Sequence, residues 1–119
     1  MTKTILVADD QPGIRMLLKE VFSEKDYDVT TAETGQDALD YLYGSSYDLL
    51  ILDYKLPVVD GADLLKRLDA DQVDLPTIIM SGLTENISEE IKQLSAVREV
   101  FAKPFDIQEI SDSVSSILA

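Results

Sequence analysis

The chain has no cysteine and no histidine among its 119 residues. Without cysteine there is no disulfide framework, no thiol nucleophile and no thiolate metal site. Without histidine, Ser-His triads, histidine-ligated zinc and phosphohistidine formation on this chain are excluded. Any histidine in its chemistry comes from a partner. Cations are scarce as well: ten Lys and Arg stand against 23 Asp and Glu, a net charge of −13. That balance opposes binding to nucleic acid phosphates or anionic lipid, which needs clustered Lys and Arg. An acidic surface that keeps a small protein in solution covers most of the charge. No apolar run is long enough to span a bilayer, and no signal-peptide pattern follows Met1. The expectation is a cytoplasmic protein with no membrane partner and no direct nucleic acid partner.

What is present is a chain that fits one domain, 1–119, with 45% hydrophobic residues, five Gly and four Pro. That is enough for a real core. The stretch from Asp48 to Gly61 organises the rest. Leu49-Leu50-Ile51-Leu52 is an unbroken aliphatic run, as in a strand buried on both faces of a parallel sheet. It delivers Asp53 to the strand's carboxyl end, where ligands collect in open α/β sheets. Pro57 and Asp60-Gly61 then mark a loop into a helix.

Four other strands and five helices follow from the same signals. Ile5-Leu6-Val7-Ala8 is a short apolar strand ending at Asp9-Asp10. Pro12 suits a first helical turn, and Ile14, Leu17, Leu18, Val21 and Phe22 follow at helical spacing. Asp28 to Ala32 is polar enough for an edge strand. Gly35 opens a helix through Ala38, Leu39 and Leu42, closed at Gly44-Ser45-Ser46. Leu64, Leu65 and Leu68 mark a third helix. Thr77-Ile78-Ile79-Met80 is a buried strand ending at Ser81-Gly82. Ile87, Ile91 and Leu94 form a thin apolar stripe on a fourth helix. Val100-Phe101-Ala102 is a last short strand before Lys103-Pro104, and Ile107, Ile110, Val114, Ile117 and Leu118 line a closing helix. Strict alternation predicts an α/β, flavodoxin-like (βα)5 three-layer sandwich with a parallel five-stranded sheet of order 2-1-3-4-5.

In that order Asp9, Asp10, Asp53, Ser81 and Lys103 share one end of adjacent strands. Taken singly each has an ordinary role: a helix cap, an Asx turn before Pro57, a strand-to-loop turn, a solvated lysine. Taken together they do not. Carboxylates 4 Å apart repel by about 4 kcal/mol per pair at an effective dielectric of 20. A hard divalent cation relieves this, and an all-oxygen site with room for water suits Mg²⁺. A cation, a fixed lysine and a hydroxyl donor are what stabilise a phosphoryl group in transfer. A carboxylate in line with them can form an aspartyl-phosphate. The residues alone do not say which Asp is phosphorylated; Asp53 is favoured by its central strand.

The ordered set of Asp9-Asp10, Leu52-Asp53 with Pro57 and Asp60-Gly61, Ser81, and Lys103-Pro104-Phe105 resembles the receiver domain of two-component response regulators, along the whole chain. The resemblance implies that Asp53 is the phosphorylation site. It implies that Asp10, Asp53 and the backbone carbonyl of Lys55 ligate Mg²⁺, with Asp9 acting through water. Lys103 would pair with a phosphoryl oxygen, Ser81 would bond another and shift to report the charge, and Lys103-Pro104 would be a cis peptide. Two stretches, Asp9 to Phe22 and Phe101 to Ile107, resemble the single-domain phosphorelay intermediates of Bacillus sporulation. They imply a docking face for a phosphohistidine helix made of Gln11, Ile14, Leu17 (or Leu18), Pro104 and Phe105.

The chain departs from the family at Val100, the switch position, where a Tyr or Phe usually stands. It also has Gly82 where Ala is common, and Ala96-Val97 for the frequent Gly-Ala. Loss of the aromatic switch weighs against regulated dimerisation, so a monomer is expected. The resemblance implies a signalling phosphoacceptor rather than an enzyme, partnered by a sensor histidine kinase and a histidine phosphotransferase or other downstream protein. The alternatives are the receiver of a larger transcriptional regulator and a stand-alone adaptor. A haloacid-dehalogenase-type phosphatase is disfavoured, because its motif resembles Asp-x-Asp and Lys55 stands two residues after Asp53.

Overall fold

The computed structural model describes residues 2–82 and 86–119. Strands β1 (Thr4–Ala8), β2 (Asp28–Ala32), β3 (Leu49–Asp53), β4 (Thr77–Ser81) and β5 (Val97–Ala102) alternate with helices α1 (Pro12–Ser23), α2 (Gly35–Gly44), α3 (Gly61–Ala70), α4 (Glu89–Lys92) and α5 (Ile107–Leu118). All strand pairs are parallel, in the order β2-β1-β3-β4-β5.

Side chains on successive strand positions go to opposite faces, and each face has its own core. Leu6, Leu50, Leu52 and Ile79 pack with Leu39 of α2, Leu64, Leu65 and Leu68 of α3, and Ile91 of α4. Ile5, Val7, Leu49, Ile51, Ile78 and Met80 pack with Leu18 and Phe22 of α1 and Ile110 and Val114 of α5. The continuous aliphatic runs of β1, β3 and β4 are therefore needed: a polar residue on either face would enter one core or the other. β2 lies at an edge and is partly exposed, as its polarity predicts.

Two elements differ from their expected extents. β5 begins at Val97, three residues before the expected Val100, because Arg98 and Glu99 break the apolar run. At a sheet edge those charged side chains stay in water, so they end the pattern but not the strand. The fourth helix is a single turn. The Ser88 hydroxyl accepts from the Ile91 N–H at 3.3 Å and starts the helix after Ile87. Ile87 and Leu94 flank it and still pack on the α2/α3 core, so the stripe exists without the helix that its spacing predicts.

Candidate functional site

β1 and β3 are neighbours, with Ala8 level with Leu52. That register carries Asp9, Asp10 and Asp53 out of the sheet side by side. Carboxylate oxygens of all three lie within 4.8 Å of one another. Asp9 and Asp53 are buried and Asp10 is exposed. The Asp9 Oδ1 accepts from the Gln11 N–H at 2.9 Å, so Asp9 also turns the chain into α1. The contact is a turn ahead of the helix and not the expected cap, since the N-cap of α1 is Gln11.

Lys103 reaches the cluster from the end of β5. The Lys103 N–H donates to the Ser81 carbonyl at 2.7 Å, tying the two strand ends together. Its Nζ lies 2.9 Å from Asp9 Oδ2 and 3.3 Å from Asp53 Oδ2. The Lys103–Pro104 peptide is cis. Ser81 is buried at the end of β4, as expected. Burial, followed by the neighbouring Asp9 charge, pushes the Asp53 carboxyl up to about 6, against the opposing pull of Lys103 and the Lys55 N–H. Burial lowers Lys103, but Asp9 and Asp53 outweigh it and hold its ammonium above the ordinary lysine value.

Three carboxylates against one ammonium leave two negative charges uncompensated in a partly buried cleft. The donor set is all oxygen and open on the Asp10 side. Those are the properties of a site for a hard divalent cation that keeps part of its water, and the residues fit Mg²⁺.

The expected docking residues flank this cleft. Gln11 and Pro104 are exposed, Ile14 and Phe105 are half-buried, and Leu17 is 41% exposed. Leu18 is fully buried, which removes it as the alternative to Leu17. Gln11 is nearer the chemistry than expected: its Oε1 accepts from the Lys103 Nζ at 3.3 Å. Helical spacing did not single out Met16, 72% exposed on α1, because it lies off the core stripe. Nor did it single out Arg15, whose Nη1 donates to the Asp9 carbonyl at 2.9 Å and whose Nη2 lies 3.4 Å from Glu33. One signal was available: Arg15 stands four residues after Gln11, one turn along the face that points at the cleft. Val100 lies on β5 in register with Ile79, and it is exposed.

The family model for the response regulator receiver domain matches residues 5–115. The chain is 43% identical to sporulation initiation phosphotransferase F of Bacillus subtilis, over 99% of this chain and 95% of that protein. It is 31% identical to the alkaline phosphatase synthesis transcriptional regulatory protein PhoP of Bacillus subtilis, where it spans 49% of the relative's length. Among solved structures, the receiver domain of Francisella response regulator 1452 superposes with a TM-score of 0.88 at 32% identity, over 98% of this chain and 96% of that one. Response regulator TrrA of Thermotoga maritima, in complex with Mg(2+)-BeF, superposes with a TM-score of 0.85 at 33% identity, over 98% and 99%.

Proposed function

The chain belongs to the response regulator receiver family, and from that premise we propose that it takes a phosphoryl group from a partner's phosphohistidine onto Asp53 and passes it to a second partner. A carboxylate oxygen of Asp53 attacks the phosphorus as the P–N bond breaks, and that bond's electron pair returns to the partner's imidazole. Lys103 stands where it can move from its carboxylate partners to a phosphoryl oxygen. The Ser81 hydroxyl bonds another oxygen and shifts with it. Asp10, Asp53 and the Lys55 carbonyl would hold Mg²⁺ directly, and Asp9 through water. A bound Mg²⁺ supplies positive charge against the oxygens of the transferring group.

Gln11, Ile14, Leu17, Pro104 and Phe105 form the docking face for a sensor histidine kinase and for a histidine phosphotransferase or other acceptor, with the protein acting as a monomer. The relay reading is supported by the relatives: identity is 43% to the sporulation phosphotransferase and 31% to the transcriptional regulator. On this reading the chain is a signalling phosphoacceptor that catalyses only its own phosphorylation and dephosphorylation. The observation that carries this reading is the meeting of Asp9, Asp10 and Asp53 with Lys103 at one end of the sheet. Asp53→Asn abolishes labelling by a phosphorylated sensor kinase. Persistent labelling moves the nucleophile to Asp9 or Asp10.

A further inference from the structure

The loop from Asp53 into α3 holds a shape that its own residues disfavour. Val58 has a φ of 71°, in the left-handed region where a β-branched side chain crowds its backbone. The Val59 N–H donates to the Pro57 carbonyl at 2.9 Å, which makes Val58 the centre of a γ-turn of the rarer, strained hand. Its side chain is 79% exposed, so packing around that side chain does not impose the turn.

The turn is met from outside by α2. The Gly35 N–H donates to the same Pro57 carbonyl at 3.1 Å. A Cβ on Gly35 would come within 1.7 Å of the Val59 carbonyl oxygen and 2.6 Å of its carbon, an approach open only to glycine. The other end of the loop is closed by the Gly61 N–H, which donates to the Tyr54 carbonyl at 2.9 Å. Within the loop, the Lys55 N–H points back to Asp53 Oδ1 at 3.4 Å. Strained backbone persists only where its surroundings over-determine it, and here the extra constraint comes from a different helix.

We propose that Gly35 is a positioning residue for the cation-holding cleft: its amide clamps the Pro57 carbonyl, keeps the turn at Val58 closed and so holds Lys55 in place beside Asp53. This rests on the reading of Asp10, Asp53 and the Lys55 carbonyl as Mg²⁺ ligands. Gly35 touches neither the cation nor the phosphoryl group; it acts through the loop.

The test is a Mg²⁺ titration followed by backbone amide NMR, on wild type, Gly35→Ala, Val58→Gly and Gly44→Ala. Gly44 ends the same helix, with nothing within 4 Å of where its Cβ would stand. Gly35→Ala weakens Mg²⁺ binding about tenfold, the size of effect that loss of a ligand's outer support produces. It also shifts the Lys55 and Asp53 amide resonances before any Mg²⁺ is added. Val58→Gly accepts positive φ without strain and, with the clamp intact, keeps the wild-type Mg²⁺ affinity. Gly44→Ala leaves it unchanged. A Gly35→Ala protein that binds Mg²⁺ as wild type does, with unshifted Lys55 and Asp53 amides, overturns the proposal. Should Gly35→Ala not fold, hydrogen exchange of the wild-type Gly35 amide decides: protection supports the clamp, and exchange as fast as in an unstructured chain overturns it. Absence of Mg²⁺ binding in wild type would instead overturn the cation reading, and the metal-free Lys55 and Asp53 shifts would still judge the clamp.

Discussion

Lys103 stands between two carboxylates, and one of them, Asp9, has no exposure to water. A buried charge that loses its partner keeps its desolvation cost and loses its compensation, so Lys103→Ala costs about 3 kcal/mol in the metal-free protein. Chemical denaturation in EDTA measures this, and a stability equal to wild type would mark Lys103 as only a surface lysine. Mg²⁺ binding is largely intact in the same variant, while its stable response to beryllofluoride is lost. Asp53 gives a pH test. Its folded pKa of about 6 lies above the ordinary 3.8, so the folded state favours its protonated form. The resulting stabilisation is complete below about pH 3.8 and is lost as pH rises through about 6. Metal-free wild type therefore loses up to about 3 kcal/mol relative to Asp53→Asn between pH 4 and pH 7. Parallel stability curves for the two proteins would show that Asp53 is not strained by its neighbours.

At the scale of elements, the two helices beside the cleft start in different ways. The Gln11 side chain makes no cap on α1; Pro12 occupies the first turn and Asp9 turns the preceding backbone. On α5, Asp106 Oδ1 accepts from the Gln108 and Glu109 N–H groups at 2.8 and 3.4 Å. Asp106→Ala costs about 1 kcal/mol, seen as a lower denaturation midpoint. It also raises amide exchange in the first turn of α5 and at Phe105 ahead of it; unchanged exchange there would separate the cap from the loop. Legibility at this scale followed burial. β1, β3 and β4 are buried on both faces and read directly from their aliphatic runs. β5 and α4 did not: an edge strand tolerates Arg98 and Glu99, and one Ser88 cap limits a helix that Ile87, Ile91 and Leu94 would have allowed to run on.

For the whole molecule, the net charge of −13 is spread over a small domain, and in the cleft three of its carboxylates come within 4.8 Å of one another. A ligand that binds only the folded state stabilises it by mass action. Mg²⁺ therefore raises the melting temperature at constant ionic strength, by several degrees when saturating for a domain of this size. Asp10→Asn removes most of that rise, since Asp10 is the exposed member of the acidic set. If K⁺ at equal ionic strength gave the same rise in both proteins, screening of the overall charge would explain the effect and the cleft would not. Among the described residues, no helix is long and apolar enough to cross a membrane.

By itself the sequence determined the layers, the strand order and the five residues at the sheet's end. Those follow from which runs must be buried twice and from where each run stops. The tertiary structure alone decided how these residues face one another: that Asp9 is sealed under Lys103, that Gln11 and Arg15 turn toward the cleft, and that Leu18 is core while Leu17 is not. It alone showed the Gly35 amide against the Pro57 carbonyl. Periodicity fixes a residue's face within its own element, but a contact between a helix start and a distant loop depends on how the packed layers slide into register, and no local spacing records that.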